Sequence, residues 1–277
     1  MNRRLLLPAT VFSVLFFACN NKKNSSNTTN EATMQPQLKE ETVTYTADSV
    51  TMKGYVVYDE NNKDKRPAVL VVHEWWGQTD YPRTRAKQLA ELGYVAMAVD
   101  MYGDGKTVED PQSAQNLAMP FYQNPQMAKT RFDAAVNKLK ELNVVDTNNI
   151  AAIGYCFGGG VLLNVARMGE PLKGVVSFHG SLLGTAASKD LLKAKILVCH
   201  GNADPFVPKQ DVDRFKKQMD SIGADYTFKG YDGATHAFTN PAATEKGKKY
   251  NLPIAYNAAA DSASWNDMKD FFNRIFK

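Results

Sequence analysis

Three side chains that can cooperate in nucleophilic catalysis occur in the chain at Cys156, Asp204 and His236. Cys156 stands between two glycines in the run Gly-Tyr-Cys-Phe-Gly, with an apolar run of strand length before it and a helical pattern after it. A nucleophile on such a turn needs a strained backbone, and the flanking glycines leave room for it. A helix N-terminus also stabilises a thiolate. Taken alone, this pattern fits a buried structural cysteine equally well.

The order of the other two residues strengthens the catalytic interpretation. Asp204 follows an apolar strand at 195–199, and His236 follows another strand at 226–229. Nucleophile, acid and base in this order, each at the carboxyl end of a strand, is the arrangement of the α/β-hydrolases, which usually have serine as nucleophile. In such a triad the histidine takes the thiol proton and the aspartate fixes its tautomer.

The other histidines also end predicted strands. We interpret His200 as a partly buried histidine without a chemical role, and His179 as a residue that either packs or lines the cleft. His73 opens the segment His-Glu-Trp-Trp-Gly after an early strand. In this fold, the loop after that strand supplies a second backbone N–H to an oxyanion.

Four segments together resemble the dienelactone hydrolase family, and the resemblance extends from about residue 40 to the C-terminus. They are His-Glu-Trp-Trp-Gly, Gly-Tyr-Cys-Phe-Gly-Gly-Gly, Gly-Asn-Ala-Asp-Pro-Phe-Val and Gly-Ala-Thr-His-Ala-Phe. The resemblance implies a triad at Cys156, Asp204 and His236.

The resemblance also implies roles for residues around the thiol. Glu74 matches a glutamate that influences the protonation of the thiol, although an ordinary loop carboxylate is the simpler alternative. Trp75 and Phe157 match the residues whose backbone N–H groups form the oxyanion hole.

Two departures from the family bear on the substrate. Members that open dienelactones hold the substrate carboxylate with two arginines, and Gly103 and Asn240 stand in those places here. Neither residue can make a bidentate, charge-assisted contact with a carboxylate. We therefore expect a neutral ester or lactone, unless Lys106, Arg83 or Arg85 takes over this role.

Aromatic residues near the thiol are candidates for a substrate pocket, although packing in the core is the alternative for about half of them. A long segment at 101–126 contributes some of them, and a second one at 240–256 is expected to edge the cleft. The expected pocket residues are Trp76, Tyr102, Tyr155, Phe206 and Phe238.

The N-terminus has the features of an export signal. Residues 1–18 combine a basic start with a short apolar stretch, which predicts a signal peptide. Cys19 follows a small residue, as in a bacterial lipobox, and predicts lipidation; a simply cleaved signal is the alternative. Residues 19–40 are polar and predict a flexible tether. We expect a lipoprotein of the cell envelope, attached to a membrane through this anchor.

Composition limits the other function classes. The formal net charge is +4 and no basic block occurs, so nucleic acid is not an expected partner. No phosphate loop or metal-spaced cluster of His and Cys occurs, and we expect neither a cofactor nor a metal. With Cys19 lipidated, Cys156 and Cys199 are expected to remain free thiols in a monomer.

The remaining pattern predicts an α/β fold. An antiparallel pair at 42–46 and 52–58 precedes strands that alternate with helices, which indicates one domain over 41–277 with a mostly parallel sheet and helices on both faces. We therefore expect a hydrolase of carboxylic esters, lactones or thioesters that forms an acyl-enzyme on Cys156. The alternatives are a catalytically silent binding lipoprotein and an acyltransferase with the same triad.

Overall fold

The computed structural model describes residues 35–277, which form eight strands and seven helices. The strands are β1 (Leu38–Ala47), β2 (Val50–Asp59), β3 (Arg66–Val72), β4 (Val95–Val99), β5 (Val145–Tyr155), β6 (Gly174–Phe178), β7 (Lys195–Gly201) and β8 (Tyr226–Tyr231). The helices are α1 (Asp80–Glu91), α2 (Pro111–Gln123), α3 (Pro125–Lys140), α4 (Phe157–Arg167), α5 (Lys209–Ser221), α6 (Ala243–Tyr250) and α7 (Ala258–Ile275).

All eight strands belong to one sheet, in the order β1-β2-β4-β3-β5-β6-β7-β8. The first two pairs, β1 with β2 and β2 with β4, are antiparallel, and every other pair is parallel. The carboxyl ends of the parallel strands therefore meet at one edge of the sheet, where ligands bind in open α/β folds.

Successive side chains of the central strands enter two different cores. On β3, Leu70 and Val72 pack with residues of α3 and α4, whereas Val69 and Val71 pack with residues of α1 and α7. Strands buried on both faces are continuously apolar, as in a parallel sheet covered by helices on each side. The predicted layout of a mostly parallel sheet between two helical layers is confirmed.

Several boundaries differ from the expected ones. Helix α2 occupies much of the segment predicted as an irregular insert, and α6 lies in the second predicted loop. Helix α2 has a recognisable start, because the Oδ1 atom of Asp110 accepts a hydrogen bond from the backbone N–H of Ser113 at 2.9 Å and a proline follows directly. Strand β1 begins at Leu38, so the last residues of the predicted tether belong to the sheet.

The predicted signal peptide, Cys19 and most of the predicted tether lie outside the described residues. Within residues 35–277, no helix has the length and apolar character needed to cross a membrane.

Candidate active site

The thiol of Cys156 lies on the turn that joins β5 to α4. Cys156 has a φ of +53° and a ψ of −112°, a conformation that non-glycine residues adopt only where their surroundings impose it. A Cβ atom on Gly154 would lie 2.3 Å from the carbonyl oxygen of Gly158, and one on Gly158 would lie 2.4 Å from that of Val72. Only glycines therefore allow this close crossing of strand and helix.

Cys156, His236 and Asp204 form one hydrogen-bonded chain. The Nε2 atom of His236 lies 3.0 Å from Sγ of Cys156, and its Nδ1 atom lies 2.8 Å from Oδ2 of Asp204. Asp204 is itself held by the backbone N–H of Phe206, which donates to its Oδ1 atom at 2.8 Å. The aspartate accepts the Nδ1 proton, which leaves Nε2 to exchange a proton with the thiol.

The surroundings of His236 favour its charged form. Burial alone lowers the pKa of the imidazole, but ionised Cys156 and Asp204 outweigh burial and raise the pKa of His236 to about 10. The arrangement therefore favours an imidazolium beside the thiol of Cys156.

Glu74 lies in the loop after β3 and lines the same cavity as the thiol. It is only 3% exposed, and its Oε2 atom accepts a hydrogen bond from Nδ2 of Asn240 at 2.6 Å. Burial raises the pKa of Glu74, while the hydrogen bond from Asn240 opposes that shift. Asn240, which stands where a family arginine was expected, thus contacts an acidic side chain of the protein.

Two backbone N–H groups near the thiol are available to a ligand. Phe157 is the first residue of α4, so its N–H has no partner inside the helix. Among residues 35–277, the N–H groups of Phe157 and Trp75 find no protein acceptor. The carbonyl oxygen of Trp75, in the peptide unit that follows this N–H, accepts a hydrogen bond from the hydroxyl of Tyr102 at 3.0 Å, which ties the loop after β3 to Tyr102.

The thiol opens into a cavity of about 370 Å³ with mostly apolar walls. Both Trp76 and Phe206 contribute to it, as expected from the sequence, together with Trp75. The cavity lining also includes Gln115, Ala118, Met119, Tyr122, Ser181, Val207, Ala237, Leu252 and Ile254. A pocket of this size and character accepts a small apolar ligand.

Three of the expected pocket residues lie in the core instead. Tyr155 is fully buried and stacks on Phe178, and Phe238 is fully buried beside His179. Tyr102 is almost fully buried and packs edge-on against His73. All three rings pack in the core behind the site. The expectation that they line the cavity is therefore wrong.

The segment at 101–126, expected to contribute aromatic side chains to the cleft, does so through α2, a helix that was not predicted. Met119 and Tyr122 lie one helical turn apart, and the spacing of three positions places them on one face. The cap at Asp110 and the proline after it were signals for this helix. Leu252 and Ile254 lie in the segment at 240–256, which was expected to edge the cleft, and they close the other side of the cavity.

Arg83, Arg85 and Lys106, the three alternative cations for a carboxylate clamp, do not line the cavity. Arg85 is buried and paired with Asp261, with its guanidinium over the ring of Trp265. Arg83 lies over the ring of Tyr55, and Lys106 is exposed.

Two of the remaining histidines, His73 and His200, pack against aromatic rings and do not line the cavity. His73 is fully buried, which lowers its pKa to about 4, and its ring stacks on the ring of Phe157. His200 lies near Phe228 and is 7% exposed. Within residues 35–277, no group of His, Cys, Asp and Glu side chains is arranged to bind a metal ion.

Comparison with known proteins identifies the family. The profile of the dienelactone hydrolase family matches residues 52–276. The chain belongs to the dienelactone hydrolase family. A dienelactone hydrolase-like promiscuous phosphotriesterase, P91 from metagenomic libraries, superposes with a TM-score of 0.82 at 33% identity, over 86% of this chain and 98% of that one. Protein usf of Aquifex pyrophilus is 30% identical over 205 residues, which cover 72% of this chain and 86% of that protein.

More distant structures share only the fold. The esterase Est2 of Thermogutta terrifontis superposes with a TM-score of 0.61 at 18% identity, over 85% of this chain and 92% of that one. These similarities confirm the α/β-hydrolase fold. The protein is thus a hydrolase of the dienelactone hydrolase type.

Proposed function

We propose that this dienelactone hydrolase-like protein cleaves carboxylic esters, lactones or thioesters through an acyl-enzyme on Cys156. The observation that carries the proposal is the hydrogen-bonded chain from Sγ of Cys156 through His236 to Asp204 at the wall of an apolar cavity. A nucleophile, a base within hydrogen-bond reach and a residue that orients the base are the parts that covalent acyl transfer requires.

The reaction proceeds in two halves. The thiolate of Cys156 attacks the carbonyl carbon, the bond to the leaving oxygen or sulfur breaks, and the His236 imidazolium gives its proton to the leaving group. Water then attacks the thioester, His236 takes a proton from it, and the acid departs while the thiolate and imidazolium are restored. A thiolate is expelled from a tetrahedral intermediate more readily than an amine, so esters and thioesters suit this nucleophile better than amides.

The backbone N–H groups of Trp75 and Phe157 would hold the oxyanion of each tetrahedral intermediate. Removal of one such donor typically lowers a rate by about 10²–10³-fold. Glu74 lies at the cavity wall with Cys156 and His236, and burial raises the pKa of Glu74 while the charge of His236 lowers it.

The preferred substrate is neutral and largely apolar. Glu74 and His236 are the acidic and basic residues of the cavity lining, and most of the larger side chains around them are aromatic or aliphatic. A substrate carboxylate would find neither arginine nor lysine among the described residues of the cavity lining and would lie near Glu74, since Asn240 replaces the family arginine and donates its amide to that glutamate. P91 is a promiscuous phosphotriesterase, and because phosphotriesters are neutral as well, they belong in a substrate panel.

We also propose that the protein is a lipoprotein of the cell envelope. The support lies in the sequence alone: a basic start, a short apolar stretch over residues 1–18 and a small residue before Cys19. Several acyl chains on one cysteine anchor a protein stably, whereas a single chain does so only marginally.

Turnover of a panel of aryl esters, lactones, thioesters and phosphotriesters tests the proposed activity, with Cys156→Ala as the control. We expect hydrolysis by the wild type and none by the variant, with a nearly unchanged melting temperature. Residual activity above about a tenth of the wild type would reject Cys156 as the nucleophile. Transfer of the acyl group to an added alcohol in preference to water would indicate an acyltransferase, and binding without turnover would indicate a silent binding protein.

A further inference from the structure

His179 lies just after β6 and contacts the backbone of the nucleophile. The backbone N–H of Cys156 donates both to the carbonyl oxygen of Phe178, at 3.0 Å, and to Nδ1 of His179, at 3.1 Å. His179 is 1% exposed and has a φ of +42°, so its own backbone is also held in an uncommon conformation. Its ring is therefore directed at the backbone of the nucleophile turn and does not line the cavity.

The other ring nitrogen of His179 contacts the loop that carries His236. Its Nε2 atom lies 2.8 Å from Oγ1 of Thr239, three residues after His236. Thr239 is fixed in turn, because the hydroxyl of Tyr81 donates to Oγ1 at 2.7 Å and Nη2 of Arg85 donates to the carbonyl oxygen at 2.8 Å. One imidazole thus connects the backbone of Cys156 to a firmly held point on the His236 loop.

The hydrogen bonds define the protonation of this ring. Since Nδ1 accepts from Cys156, the proton of a neutral imidazole is on Nε2, where Thr239 accepts it. An imidazolium would bring an N–H group against the N–H of Cys156. Burial, together with the positive charges of His236 and Arg85, lowers the pKa of His179 well below its ordinary value, in agreement with a neutral ring.

The position of His179 in the sheet gives this link its importance. Cys156 follows β5 and His236 follows β8, and these strands are separated in the sheet by β6 and β7. His179 follows β6 and its backbone N–H donates to the carbonyl oxygen of Cys199 on β7 at 2.8 Å. The thiol and its base therefore come from distant strands, and His179 stands between their two turns.

We propose that His179 is a positioning residue, which sets the distance from the Cys156 thiol to His236 by holding the nucleophile turn and the His236 loop together. The inference rests on the proposed function, because that distance matters only if the thiol gives its proton to His236. Small displacements of reacting groups have large effects: an error of about 1 Å can lower a rate by about 10²-fold.

The test uses two measurements on the full chain. The first is the rate at which iodoacetamide alkylates Cys156, followed by mass spectrometry of the peptide that contains Cys156, and the second is kcat and KM for an ester. His179→Leu removes both ring contacts. Thr239→Val keeps the contact of His179 with Cys156 and removes the link to the His236 loop, together with the acceptor of the Tyr81 hydroxyl. His179→Asn keeps an acceptor for the N–H of Cys156, because the amide oxygen takes the place of Nδ1. His200→Leu is the matched control, since His200 is also a buried histidine at a strand end and makes no side-chain hydrogen bond within the described chain.

We expect His179→Leu to slow alkylation and kcat by at least about tenfold with little change in KM, and Thr239→Val to slow both less. His179→Asn, which keeps the contact with Cys156 but not the one with Thr239, should react faster than His179→Leu and about as fast as Thr239→Val, and His200→Leu should react like the wild type. Wild-type alkylation rates in Thr239→Val would overturn the proposal, even if His179→Leu did not fold. Equal losses in His179→Leu and His200→Leu would overturn it as well.

The alkylation rate also separates this inference from the proposed function. Iodoacetamide reacts with the thiol without any ester, so a wild type that turns over no ester would reject only the proposed function. The alkylation rates of the variants, relative to the wild type, would still show whether His179 positions the thiol beside His236.

Discussion

Asn240 donates a hydrogen bond from Nδ2 to Oε2 of Glu74 at 2.6 Å, and both side chains are buried. The amide also accepts a hydrogen bond from the backbone N–H of Ala242 at 2.9 Å. A neutral residue is thus the direct partner of a buried carboxylate at the wall of the cavity, and the stability of the protein depends on how that carboxylate is satisfied.

Asn240→Leu should destabilise the protein by about 1–3 kcal/mol at pH 8, because it removes a donor from buried Glu74. The loss should be smaller near pH 4. Burial raises the pKa of Glu74 in the folded state, so the folded protein binds more protons than the unfolded chain above the ordinary carboxyl pKa, and stability falls as the pH rises there. The lost contact with Ala242 contributes equally at both pH values.

Chemical denaturation at the two pH values measures this difference. The same pair of measurements in a Glu74→Gln background is the control, because the pH-dependent part should vanish there. A loss that is equal at pH 4 and pH 8 would show that Asn240 does not act through the charge of Glu74.

The activity toward an alkyl ester should fall at high pH with the titration of His236. Against the effect of burial, Cys156 and Asp204 raise its pKa to about 10, so the imidazolium that protonates a poor leaving group persists at neutral pH and is lost as the pH rises through about 10. Asp204→Asn removes one of the groups that raise the pKa of His236, so the alkaline limb of the pH profile of kcat/KM should move to lower pH. An alkaline limb at the same pH in both proteins would contradict the assigned role of Asp204.

Neutral substrates should be preferred over matched carboxylate-bearing ones by at least about tenfold in kcat/KM. Each missing charge-assisted contact is worth about 1.5–3 kcal/mol, and Gly103 and Asn240 replace two arginines. Paired substrates that differ only in that group measure the preference. Lys106→Ala is the control, since Lys106 is exposed and absent from the cavity wall, and it should leave the ratio unchanged. A clear preference for the carboxylate would show that the pocket recognises charge in another way.

Full-length wild-type protein should partition into membranes and into the detergent phase if Cys19 is lipidated, and Cys19→Ala should release it. Fractionation of cells and mass spectrometry of the mature N-terminus measure this. Soluble wild-type protein that starts at another residue would show that the signal is simply cleaved.

The elements around Cys156, Asp204 and His236 could be predicted from local patterns. Each residue follows an apolar strand, and the ends of parallel strands come together at one edge of the sheet whatever the distance along the chain. Proximity in sequence was a poor guide to the pocket. Tyr155 precedes Cys156 directly, yet side chains alternate along a strand, and its ring enters the core on the face away from α4.

The rest of the pocket depends on tertiary contacts that no local pattern encodes. Leu252 reaches the cavity because the segment after α6 folds back, and its N–H donates to the carbonyl oxygen of Gly247 at 3.0 Å. Asn240 stands where the family resemblance placed a carboxylate clamp, and its partner, Glu74, lies on a loop after a distant strand. Such a pair becomes visible only when the strands are assembled.

Two sides of the cavity wall come from parts of the chain that carry none of the reacting groups. Met119 and Tyr122 come from α2, between β4 and α3, and Ile254 comes from the segment between α6 and α7. Neither segment carries a member of the triad, although Ile254 is bridged to the backbone of His236 and Tyr122 packs on Phe157. Side chains that face the cavity from these segments can therefore be exchanged during evolution while Cys156, Asp204 and His236 stay the same. New substrate ranges can thus arise in one lineage while the chemistry is inherited unchanged, and directed evolution has two independent places to begin.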